Sequence, residues 1–134
     1  MCLYVLKSMP KKLTTTKHYI VYKRLKSARK PGKPGYVPPY YTYFFYEPGV
    51  LYLIKSIASI TTFGRRIVER GFHAYRTEYS AKCMRYTGEV VVPCIVPAGS
   101  EVFYGDNEEV VSNKLIVFKN IEQLNEWCAN NPVT

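Results

Sequence analysis

The chain has no run of eighteen or more apolar residues, so no segment is long enough to cross a bilayer as a helix. Residues Met1 to Lys12 hold an apolar piece too short for a secretory signal and without a small-residue cleavage pattern. A soluble, cytoplasmic protein with no membrane contact is therefore expected. There is no Cys-x-x-Cys pair. Cys2, Cys83, Cys94 and Cys128 stand apart with no close histidine partner, which indicates neither a zinc site nor a disulfide framework and predicts reduced thiols. A glycine-rich phosphate loop, a paired-carboxylate motif and a metal signature are also missing, so the expectation is a non-enzymatic protein without cofactor or metal.

Acidic residues are missing where basic ones are densest. From Met1 to Tyr46 there are ten Lys or Arg and no Asp or Glu, from Glu47 to Tyr86 seven against three, and from Thr87 to Thr134 two against seven. The net charge of +9 is thus spread as +10, +4 and −5 along the chain. Such one-sided potential attracts phosphates and other anions, which predicts an anionic small molecule, an acidic host protein or a nucleic acid as partner. The basic run is interleaved with aromatics, which would otherwise be odd residues to expose.

At 134 residues the chain fits one domain, 1–134, able to bury a core unaided. Residues 1–17 read as a basic arm, although Cys2 to Lys7 could form a strand. His18 to Leu25 is rich in β-formers and reads as a strand. Residues 26–39 carry Pro31, Pro34, Pro38, Pro39, Gly32 and Gly35 and read as a long loop, with Lys26, Arg29, Lys30 and Lys33 as a clamp for phosphate. Tyr40 to Tyr46 holds six aromatic rings in seven positions and reads as a strand, paired through the Glu47-Pro48-Gly49 turn with Val50 to Ile54. Thr77 fits a helix N-cap, with Tyr79, Cys83 and Tyr86 on one helical face and an end near Thr87-Gly88. Glu89 to Val96 is a strand that Pro93 pushes towards an edge or bulge. Val96-Pro97-Ala98-Gly99 reads as a type I turn. Glu101 to Tyr104 and Val110 to Phe118 complete a meander. Asn120 to Gln123 spaces a capping box, and Ile121, Leu124, Trp127 and Cys128 form an apolar stripe. The predicted fold is α+β, a twisted antiparallel sheet of about five to seven strands with two short helices.

The segment Gly71-Phe72-His73-Ala74-Tyr75-Arg76 marks the seam between the basic half and the rest. His73 has no carboxylate beside it within the segment, Glu69 and Glu78 lie outside it, and a lone histidine on an apolar strand is more often a hydrogen-bonded structural residue than a catalyst. The candidate ligand-binding residues are Arg65, Arg66, Arg70, His73, Tyr75, Arg76, Lys23, Arg24, Tyr41 and Tyr43. Arginine forks take phosphate bidentately and tyrosine rings stack on bases, with Tyr36 and Tyr40 as further stacking candidates.

The run Gly71 to Tyr75, then Val90-Val91-Val92-Pro93-Cys94-Ile95-Val96-Pro97-Ala98-Gly99-Ser100, then Val111-Ser112-Asn113-Lys114-Leu115-Ile116-Val117 resembles small uncharacterised proteins of bacteriophage genomes. The resemblance covers the second half only and carries no functional residues across. It implies a phage accessory protein in the host cytoplasm, with sequestration of a host immune signalling nucleotide as one role. The residues leave two alternatives open: inhibition of a host protein through the aromatic strand, and binding of RNA or single-stranded DNA. An exposed aromatic edge predicts a homo-oligomer.

Overall fold

β-Branched and aromatic residues dominate the apolar stretches, which favours extended backbone over helix. The computed structural model describes residues 3–5, 12–39, 44–55, 59–62, 65–68, 71–105 and 108–133, with 3–5, 59–62 and 65–68 described through their backbone. The chain runs β1 (Leu3–Val5), β2 (Leu13–Thr14), β3 (Tyr19–Lys30), β4 (Lys33–Val37), β5 (Leu51–Leu53), β6 (Ser59–Thr62), β7 (Arg65–Val68), β8 (Phe72–Tyr75), α1 (Glu78–Cys83), β9 (Val90–Val96), β10 (Glu101–Tyr104), β11 (Glu109–Ser112), β12 (Lys114–Val117) and α2 (Ile121–Asn130). The α+β class is as expected, with more strands than the sequence suggested. A nine-stranded sheet has the order β2-β10-β11-β8-β3-β9-β12-β5 with β4 added to β3, and a three-stranded sheet has the order β1-β7-β6. Every strand pair is antiparallel.

One residue forces the large sheet to coil. β11 and β12 lie four places apart in the strand order, yet only Asn113 separates them in the chain. A flat sheet cannot satisfy both facts. Asn113 is buried and held at three atoms: its N–H donates to the Glu101 carbonyl (3.1 Å), its Oδ1 accepts from the Glu101 N–H (2.8 Å), and its carbonyl accepts from the Ile54 N–H (2.9 Å). The expected meander therefore stops at β10–β11, because the chain crosses from one side of the coil to the other instead of turning back.

Alternation assigns the two faces. Val21 and Leu25 of β3, Val92, Cys94 and Val96 of β9, Val102, Val110, Leu115 and Val117 meet inside the coil with Phe72, Ala74 and Tyr46. On the outside, Ile95, Ile116 and Phe118 receive α2 through Leu124, Trp127 and Cys128. Ile121 is left exposed. Asn120 caps α2 by accepting from Gln123 N–H (2.9 Å), and the Gln123 side chain accepts from Lys119 N–H (2.9 Å), one residue before the expected box partner. His18 fastens the end of α2, with Nδ1 accepting from Ala98 N–H (3.0 Å), Nε2 bonded to the Asn131 carbonyl (2.7 Å) and the ring edge-on to Trp127.

Several expectations are corrected. Residues 26–39 are largely strand: the second half of β3 pairs with β4 around a Pro31-Gly32 turn, with Gly32 at φ 75°. The prolines are tolerated because β4 turns one edge away from β3. Tyr36 uses that edge, exchanging backbone hydrogen bonds with Tyr46, and Pro34, two residues earlier, points its missing donor the same way. Gly35 allows the approach, since a Cβ there would lie 2.5 Å from the Tyr46 carbonyl oxygen.

Pro93 lies in a central strand. It opposes Tyr22 of β3, and its carbonyl accepts from Phe118 N–H just past the end of β12, where no ladder donor is needed. The supposed arm is docked at β2. Buried Thr15 bonds through backbone and hydroxyl to Pro97, Gly99 and Ser100. That turn is one residue later than expected, with Ser100 N–H to the Pro97 carbonyl and Gly99 at φ 85° in its third position, the type II arrangement.

β5 pairs with β12, and residues 40–43 of the aromatic segment expected beside it lie outside the described set. Helix α1 has its Thr77 cap but ends at Cys83, so Tyr86 lies beyond it; Tyr79 and Tyr86 are exposed while Ala81 is buried.

Candidate functional site

Consecutive residues of β3 face opposite ways, which separates two of the expected ligand-binding side chains. Lys23 lies between Val21 and Leu25 on the inner face. Its ammonium donates to the His73 carbonyl and sits 5.9 Å from the centre of the Tyr46 ring. Burial pulls the Lys23 pKa down to about 8, with Cys94 opposing and Arg24 adding to the fall. The residue as a whole is half-buried, and the ammonium is the end that enters the core. Cys94 beside it is pushed up to about 12 by burial, with Lys23 opposing. Tyr46 is raised by burial first, then by Cys94 and Tyr52.

Arg24 faces outward and is covered by α1. Its guanidinium pairs with Glu89 at 3.5 Å, both side chains being almost wholly buried, bonds the Met84 carbonyl at the C-terminal cap of the helix and lies over the Tyr86 ring. Glu89 also accepts from Tyr86 N–H (3.0 Å). Arg24 is therefore a structural cation that ends α1, not a ligand contact.

On β8, Phe72 and Ala74 point inward, so His73 and Tyr75 point outward. Tyr75 is buried, and its phenol pKa is raised by burial, with Arg24 opposing and Glu109, Glu89 and Tyr86 adding. His73 is half-buried with Nδ1 near the Gly71 carbonyl (3.2 Å). These two belong to the scaffold, while Arg76 emerges at the surface with its guanidinium 4.8 Å above the Tyr104 ring and 3.8 Å from Glu108. Arg65 and Arg66 are carried by β7 in the smaller sheet, where Arg66 is in register with Val5 and Thr61. Arg70, Tyr41 and Tyr43 lie outside the described residues, as does Tyr40. Of the expected residues whose side chains are described, Lys23 faces the interior, Arg24 and Tyr75 are buried on the other face and Arg76 reaches the surface, so these do not converge.

Convergence occurs at the hairpin instead. Ser27, Ala28 and Arg29 of β3, Pro34, Gly35 and Tyr36 of β4, Pro48 and Lys119 line a groove of about 540 Å³. Arg29 and Lys119 are exposed and have no ion-pair partner among the described residues. Lys26, Lys30 and Lys33 are exposed on the same hairpin, Lys33 at 3.5 Å from Glu47. Tyr36 is half-buried against the core, and its phenol is raised by burial and then by Cys94, so it bounds the groove as a fixed wall. Two cations lining a concave surface can hold a phosphate.

The residue that sequence reading missed is Lys119. Only its rarity could have marked it, since it is one of two cations after Thr87, and it stands directly before the cap of α2. A second, smaller cleft of about 180 Å³ opens at Arg76. Among the described residues, no group of three His, Cys, Asp or Glu is placed to hold a metal ion, and no helix is long and apolar enough to cross a membrane. Comparison of the chain with protein-family models, with curated proteins and with solved structures finds no match.

Proposed function

We propose that the protein is a non-enzymatic binder of an anionic nucleotide ligand, held with its phosphates between Arg29 and Lys119. The groove itself carries the reading. Its volume of about 540 Å³ lies within the range of drug-sized ligand sites, whereas about 180 Å³ at Arg76 is too small for a nucleotide. The hairpin lysines add positive potential around the groove, which speeds capture of anions. In the phage setting that the sequence resembles, such a protein would sequester a host signalling nucleotide.

A thermal-shift screen against mononucleotides, cyclic di- and trinucleotides and ADP-ribose derivatives tests this, because a ligand that binds only the folded state must raise its melting temperature. Arg29→Glu and Lys119→Glu should each abolish the shift without unfolding the chain. No shift with any of these anions would refute the proposal. A response to oligonucleotides alone, falling steeply with added salt, would point to a polymer binder instead. Co-purification with an acidic protein and no nucleotide response would favour the inhibitor reading.

A further inference from the structure

The smaller cleft combines features that the nucleotide reading leaves unused. Its floor is made by Val21, Val96, Val102 and Val110, each at most 3% exposed and drawn from four different strands. Tyr19 and Tyr104 flank the opening, and Arg76 stands beside it. The volume of about 180 Å³ is close to that of an apolar protein cavity of about 150 Å³ that takes up benzene and stays free of water.

The polar equipment is one-sided. Thr15, at the rim, already donates to the Pro97 carbonyl (2.9 Å) and accepts from Ser100 N–H (2.9 Å). The guanidinium of Arg76 is held in place by the Tyr104 ring below it. Its only ion pair among the described residues is with Glu108 at 3.8 Å, and both side chains are about half exposed. An exposed pair of that length is weak and easily exchanged for a bidentate carboxylate. Lys17, 5.4 Å from the centre of the Tyr19 ring, adds a second positive charge on that side.

We infer that this cleft binds a small aromatic carboxylate, with the ring among the four valines and the carboxylate on Arg76. A cationic ligand would meet Arg76 with the wrong sign, and a neutral ring would leave the guanidinium without a new partner. A nucleotide is too large. This inference is independent of the hairpin groove.

The test is a titration of valine methyl resonances in the full chain with benzoate, using benzyl alcohol and benzylamine as neutral and cationic controls of the same ring. Benzoate should saturate at about millimolar concentration, as expected of so small a ligand, and move the methyls of Val21, Val96, Val102 and Val110. Arg76→Gln should weaken binding about tenfold or more, the scale of a lost charge-assisted contact. Val110→Phe, which fills the floor, should remove binding. Should Val110→Phe not fold, the surface variant Arg76→Gln still decides. Arg29→Glu should leave benzoate binding unchanged. Equal affinity for benzoate and benzyl alcohol, indifference to Arg76→Gln, shifts confined to the hairpin, or no saturation by about 10 mM would each overturn the assignment.

Discussion

Replacing Lys23 by methionine should stabilise the protein at neutral pH and lose that benefit in alkali. Lys23 is the one cation among the described residues that points into the apolar interior of the large sheet, and burial lowers its pKa from 10.5 to about 8. A lowered lysine pKa means that the unfolded chain binds more protons between those two pH values, so stability rises with pH across that window. The cost of carrying the buried charge is about 3 kcal/mol at pH 7 and under about 1 kcal/mol at pH 10. Methionine fills a similar volume without charge. It gives up the hydrogen bond to the His73 carbonyl, a loss of about 1–2 kcal/mol. Lys23→Met should therefore gain about 1–2 kcal/mol at pH 7 and become neutral or slightly destabilising at pH 10. Urea unfolding at both pH values, with unchanged slopes, measures this. A variant less stable than wild type at pH 7, or a difference that does not change with pH, would refute the argument.

Further outcomes follow from the same structure. Arg24→Met should cost about 3–5 kcal/mol by leaving buried Glu89 without its ion-pair partner, while Arg24→Met with Glu89→Met should recover most of it, as chemical denaturation would show. Gly35→Ala should cost more than about 2 kcal/mol because its Cβ meets the Tyr46 carbonyl and the Phe45 ring, and a melting temperature within a degree of wild type would contradict the packing. Cys94, with its thiol pKa near 12, should resist iodoacetamide at pH 8 while exposed Cys83 is alkylated, as read by peptide mass mapping. Because folding raises that thiol from 9.0, the native state keeps its proton longer than the unfolded chain, so the contribution of Cys94 to stability falls as pH rises from 9 to 12 and opposes that of Lys23 where the two windows overlap.

Local chemistry was legible in the sequence wherever one segment decided the outcome. The Thr77 and Asn120 caps, the β-rich stretch after His18, the strand before Pro97 and the stripe at Leu124, Trp127 and Cys128 all follow from neighbouring residues. What failed depended on partners distant in sequence. Pro34 and Pro93 look like strand breakers until the neighbouring strand shows which edge lacks a donor requirement. The basic candidates were grouped by proximity in the chain, whereas alternation on β3 sends Lys23 inward and Arg24 beneath a helix whose residues begin more than fifty positions later. Lys119 enters the hairpin groove only because α2 starts beside it.

The crossing at Asn113 has a kinetic consequence. Val21 faces Cys94 about seventy residues away, and Leu13 faces Val102 at about ninety, so pairings in the large sheet join segments far apart in the chain. A polypeptide emerging from the ribosome would form the β3–β4 hairpin early and hold the rest of β3 unpaired until β9 is made. Three exposed lysines and an arginine on that hairpin then repel neighbouring copies while the strand waits. The same positive charge that suits an anionic ligand in the folded protein would guard the nascent one against aggregation.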